Sequence, residues 1–281
     1  MTQVQEHRAQ DIVAADFAPA HRDALEAAVE TLENPNFAAR IADYAGAPIN
    51  RVLGMLPRAA SAGLSKAVEV AMLRCLKTAI RSLDGADRRR PAIWRSTMAV
   101  GVTGGVSGFI GLAALPVELP VTTTLMLRAI ADIARHNGED LSRLEPRLAC
   151  LQVFALGSRA SGVRTDVGYF AARALLTKIT GNAAAYLVER GALELSGPMM
   201  NSFISELVSR FSIVLSDRIA ASALPVIGAV GGATVNVIFM NHFQQIAKGH
   251  FTVRRLERQY GPDLVRRHYA QIASRGVPGR Q

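Results

Sequence analysis

IAASALPVIGAVGGATVNVIFMNHFQQIA, Ile219 to Ala247, runs for 29 residues without Asp, Glu, Lys or Arg. A helix of about 20 apolar residues crosses a bilayer, so length alone admits a membrane span. Composition argues against a clean one: Asn236, Asn241, His242, Gln244 and Gln245 crowd the second half. A helix apolar on most sides, yet dotted with amides, fits a protein core in which those amides find hydrogen-bond partners. Gly228 and Gly232, four residues apart, share a helix face and let another backbone come close.

A second stretch has the same character. Ser96 to Val117 is 22 residues without a formal charge, with Gly101 and Gly105, then Gly104 and Gly108, four apart. Each glycine weakens an isolated helix by about 1 kcal/mol relative to alanine, and Pro116-Val-Glu118-Leu-Pro120 puts breakers and a carboxylate at the exit. The expectation is a buried central hairpin in which the two glycine-rich segments pack on each other. Membrane-leaning helices are the alternative.

Working outward, Leu64, Val68, Ala71, Met72, Cys75, Leu76, Ala79 and Leu83 keep the spacing of one helix face, ended by Asp84-Gly85. Asn34-Pro35 opens a helix that Gly46 closes, and another starts at Pro120 and stops at Gly138. Further helical runs fall at about 146–157, 166–190, 198–218, 225–248 and 262–273. No alternating strands flank an Asn-Gly or Asp-Gly turn. The fold class is therefore all-α: a multi-helix bundle with two glycine-rich apolar helical segments packed centrally.

Charge divides the chain unevenly. Residues 1–46 hold eight acids against three Arg, whereas Lys248 to the end holds eight Lys or Arg against Glu257 and Asp263. Residues 1–45 are read as an acidic, partly helical N-terminal segment with a loose start. Arg88, Arg89 and Arg90 form a second basic knot, and Arg254, Arg255, Arg258, Arg266 and Arg267 a third. Such clusters point to an anionic partner: a membrane surface, or a membrane protein carrying acidic groups. Nucleic acid is the weaker candidate, because no zinc finger is present and no helix-turn-helix stands apart from ordinary helix packing. Cys75 and Cys150 sit in apolar helical patterns, as thiols of a reducing compartment do. The first residues lack a basic start, an apolar core and a cleavage site. The expected location is cytoplasmic, peripheral on the inner face of the cell membrane, and nothing in the sequence fixes an oligomeric state.

Catalytic motifs are scarce. Neither GxxxxGK[ST] nor GxGxxG occurs, so no nucleotide cofactor is expected, and the surroundings of Ser107 lack the second glycine of a nucleophile elbow. Glu118 lies just before the helix expected at Pro120, where a carboxylate complements the positive helix end. Thr122, Thr123 and Thr124 are local hydrogen-bonding residues of its opening turn, and Arg128 and Asp132 are spaced for a helical pair. His136 and Asp140 are separated by the helix-ending Gly138, and His242 and His250 point about 80° apart on a helix. No metal is expected from such spacing.

LPVELPVTTTLMLRAIADIARHNGEDL, RLACLQVFALG, DVGYFAARALL and IGAVGGATVNVIFMNHFQQIAKGHFTVRRLERQYG together resemble the EcsC protein family, in the same order and over about residues 50–270. The resemblance implies a bacterial, mostly helical protein, in a family whose founding member is named for an ABC-transporter operon. It makes residues 46–281 an EcsC-like helical domain and supplies no catalytic residues. The expected function is a non-enzymatic, membrane-proximal helical protein, an accessory to membrane transport that meets anionic lipid or a membrane partner through its basic patches. The alternative is a hydrolase or metal-dependent enzyme in which Glu118, His242 and His250 converge on a polar cleft.

Overall fold

The computed structural model describes residues 17–34, 58–82, 115–158, 168–190, 197–222 and 228–275, and none of them is a strand. The helices are α1 (Pro19–Glu33), α2 (Arg58–Ser82), α3 (Leu115–His136), α4 (Leu144–Leu156), α5 (Tyr169–Arg190), α6 (Pro198–Ser222), α7 (Gly228–Tyr260) and α8 (Pro262–Arg275). The protein is an all-α helical bundle. Among the described residues no helix is long and apolar enough to cross a membrane.

Contacts gather the chain into two compact units. One comprises Met1–Asn34 with Lys248–Gln281, the other Pro35–Ala247. α1 buries Leu25, Ala28, Val29 and Leu32 and packs on α8, so the acidic segment has an apolar face whose partner lies at the other end of the sequence.

In the larger unit, α2 packs on α3, α4 and α6, while α4 also meets α3, α5 and α6. Every residue of α4 from Pro146 to Leu156 is buried, as suits a helix surrounded by others. Of its two large polar groups, Arg147 donates to the carbonyls of Leu141 and Ser142 at 2.6 and 2.9 Å, and Gln152 Nε2 donates to Thr180 Oγ1 at 2.6 Å while its Oε1 has no hydrogen-bond partner among the described residues. Past Gly228 and Gly232, α7 contributes to the core, with Val235, Asn236, Phe239, Met240 and Phe243 all buried. Phe239 and Phe243 join Phe154 and Phe211 in a ring cluster with centroids 5.2 to 5.9 Å apart. Gly101, Gly104, Gly105 and Gly108, the helix expected from Pro35 and the Arg88–Arg90 knot lie outside the described residues. Gly228 and Gly232 are in α7.

Of the face expected in α2, Val68, Ala71, Met72, Cys75, Leu76 and Ala79 are all buried, and the Leu64 and Leu83 side chains lie outside the described residues. Two boundaries differ. α3 begins at Leu115, so Pro120 stands inside the helix and not at its start. The missing N–H of Pro120 costs one bond to Pro116, near enough to the helix start for that carbonyl to be the sole loss. α7 runs through Gly249 to Tyr260 instead of stopping near 248. A Cβ at Gly249 would stand 3.0 Å from Leu32 Cγ and 3.4 Å from the Ala28 carbonyl oxygen, so this glycine provides clearance for α1. Gly138 and Gly261 do end helices, with φ of 81° and 85°, the left-handed geometry usual there.

In the smaller unit, an aromatic clasp accompanies the α1–α8 contact. Phe17 stacks on Tyr260 with centroids 4.4 Å apart and meets His268 at 5.0 Å. His21 Nδ1 and the Tyr260 hydroxyl are 2.7 Å apart, and Tyr269 donates to Glu33 at 2.8 Å.

Candidate functional site

A buried polar cluster forms where α3, α6 and α7 meet. Glu118, in the first turn of α3, accepts from Arg218 Nη2 and from Asn236 Nδ2 at 3.2 Å. Arg218 Nε donates to Asn236 Oδ1 at 2.8 Å, which closes a triangle of three side chains. The guanidinium also lies 5.2 Å from the centroid of Phe239, within cation–π range. Arg218 is 4% exposed, Glu118 8% and Asn236 1%. A permanently charged guanidinium and a carboxylate taken this far out of water need each other. Asn236 supplies the donor and acceptor that a pair alone would lack.

The threonines beside the cluster behave individually. Thr123 Oγ1 donates to the Leu119 carbonyl at 2.6 Å, and Thr124 Oγ1 to that of Pro120 at 2.6 Å. These back-bonds are the local behaviour expected of threonine in a helix. Thr122 lies one turn beyond Glu118, fully buried, and its hydroxyl has no hydrogen-bond partner among the described residues. Facing Thr123 and Thr124 from α2, Cys75 has its thiol pushed up to about 12 by burial, against the opposing hydrogen bonds of the threonines. Both cysteines are buried thiols, and Cys75 is a poor nucleophile.

Glu118, His242 and His250 have different surroundings. His242 Nε2 is 2.8 Å from the Gly157 carbonyl at the end of α4, and its ring abuts Phe243. It is not among the partners of Glu118. His250 belongs to the other unit, where it is fully buried and packs on Phe251 with centroids 4.9 Å apart. His136 is exposed and Asp140 accepts from Ser142 at 2.7 and 3.0 Å. Asp132 takes Arg135 at 2.8 Å, where Arg128 was expected. Among the described residues no three His, Cys, Asp or Glu side chains are grouped to hold a metal ion.

Of the basic residues, Arg258, Arg266 and Arg267 are exposed, with Lys248 and Arg275, while Arg254 and Arg255 are half-buried. Sequence reasoning missed Arg218 altogether and read Asn236 only as a polar interruption. The signals were there: Arg218 is the last charge before the 29-residue uncharged stretch, and Asn236 is the first amide within it.

The model of the EcsC protein family matches residues 22–256. It therefore starts inside α1, earlier than the likeness visible by eye. No curated protein and no solved structure matches the chain.

Proposed function

Because this chain belongs to the EcsC protein family, and because of where its charges lie, we propose that it is a non-enzymatic helical protein working beside a membrane. Its basic C-terminal face meets anionic lipid, and its role is accessory to membrane transport. The observation that carries the reading is the exposure of Arg258, Arg266 and Arg267 around the α7–α8 turn, in a unit whose apolar residues are spent on packing α1. Each basic residue near an anionic surface contributes about 1 kcal/mol, so a few suffice for reversible, salt-sensitive attachment. The non-enzymatic half of the reading rests on Glu118. Its carboxylate is engaged by Arg218 and Asn236, and a general base must be open to its substrate.

Vesicle flotation tests the proposal. Vesicles containing phosphatidylglycerol should carry the protein up at low salt and release it at high salt, while pure phosphatidylcholine vesicles should not. Arg266→Glu with Arg267→Glu should abolish flotation. Equal binding to both vesicle types, or to neither, counts against the lipid reading.

A further inference from the structure

α5 buries Tyr169, Ala172, Leu176, Thr180, Ala183 and Leu187, which lie along one side of the helix. On the opposite side a polar stripe is expected, yet Ala171, Leu175, Lys178, Asn182, Ala185 and Glu189 are exposed there. These residues follow one another at alternating steps of four and three, the spacing of a helix–helix seam. Gly181 and Val188 flank them, with Val188 75% and Leu175 46% exposed. A Cβ on Gly181 would meet nothing within 4 Å, so this side of α5 is open.

We infer that this face pairs with the same face of a second copy of the chain, α5 against α5, antiparallel across a two-fold axis. The argument is charge complementarity in register. Lys178 and Glu189 lie eleven residues apart, about three turns, and among the described residues neither makes an ion pair. Their midpoint falls between Ala183 and Ala184. Asn182 and Ala185 have the same midpoint. One axis through that point therefore sets Lys178 opposite Glu189 of the second copy twice over, and places small Asn182 and Ala185 side chains at the crossing, where helices come closest. It also brings Leu175 of each copy towards the C-terminal end of α5 of the other, covering that exposed apolar side chain.

Sedimentation equilibrium of the full chain reads the association. The wild type should dimerise. Lys178→Glu should weaken the dimer about tenfold by setting like charges opposite each other, and Lys178→Glu with Glu189→Lys should restore it. Asn182→Cys with Ala185→Cys should form intermolecular disulfides on mild oxidation, because each of these positions faces the other across the axis while Cys75 and Cys150 are buried. A wild type that stays monomeric up to roughly 1 mM overturns the inference. So does a dimer that ignores both charge reversals and fails to cross-link. If Leu175→Glu with Val188→Glu abolishes vesicle flotation of a monomeric chain, the face belongs to lipid and the second copy is excluded.

Discussion

Replacing Arg218 by Met takes the guanidinium from a carboxylate whose side chain is 7% exposed. Glu118 then keeps a single donor, Asn236 Nδ2 at 3.2 Å. Breaking a buried pair from one side costs about 3–5 kcal/mol, a large share of the roughly 5–15 kcal/mol that holds a typical domain folded. Glu118→Leu is the mirror case, since it strands a guanidinium whose Nε still reaches Asn236. It should cost a similar amount. In the double variant no charge is stranded, and the remaining penalty is that of an Asn236 amide without its two partners, about 1–3 kcal/mol. The double variant should therefore be more stable than either single one. Urea unfolding followed by circular dichroism measures all four proteins, with stability read from the midpoint at constant slope. Single variants that each lose less than about 1 kcal/mol and add in the double one would refute the idea that these charges depend on each other.

Three further outcomes are expected. The raised Cys75 thiol stays protonated in the folded protein to higher pH than in the unfolded chain, so its contribution is intact below about pH 9 and is lost as pH rises towards about 12. Stability should fall by about 1.4 kcal/mol per pH unit over that range, and a comparison of Cys75→Ala with the wild type should isolate this slope. Gly157→Ala puts a Cβ 2.5 Å from a Phe243 ring carbon and should cost about 1–3 kcal/mol by overpacking, whereas Gly181→Ala meets open space and should gain about 0.5–1 kcal/mol; thermal midpoints check both signs. His242→Ala removes the bond to the Gly157 carbonyl and some core packing, and should speed amide exchange at the C-terminal end of α4.

How far the sequence spoke depends on whether the cause was local. The α2 face was legible because Val68, Ala71, Met72, Cys75, Leu76 and Ala79 repeat at the helical period, and burial follows that period directly. Gly138 ended α3 as read, because a left-handed residue stops a helix whatever surrounds it. Pro120 misled for the same reason in reverse. It carries a local cost and is retained because it comes early enough in α3, as Gly249 is retained inside α7 because it gives α1 room. The N-terminal segment was read by charge, so the Leu25, Ala28, Val29 and Leu32 face went unused. The cluster was least legible. Arg218 is 100 residues from Glu118 and Asn236 is 118 from it, and no periodicity links positions so distant. What the sequence did offer was an anomaly, the first amide after a long apolar run and an arginine at the border of that run, and buried polar groups of that kind require partners.

The cluster and the basic face lie in different units, and this separates architecture from function. A buried ion pair adds little net stability over well-packed apolar side chains; at the junction of α3, α6 and α7 its geometry fixes how these helices align. If that is its whole role, the folded Glu118→Leu, Arg218→Met double variant should float with phosphatidylglycerol vesicles as the wild type does, since Arg258, Arg266 and Arg267 are untouched. Conversely, Arg266→Glu with Arg267→Glu should lose flotation and unfold at the wild-type urea midpoint, because both side chains are exposed. A double variant that folds, keeps its basic face and still fails to float would show that Glu118 and Arg218 take part in the membrane contact. The purely architectural account of the cluster would then be wrong.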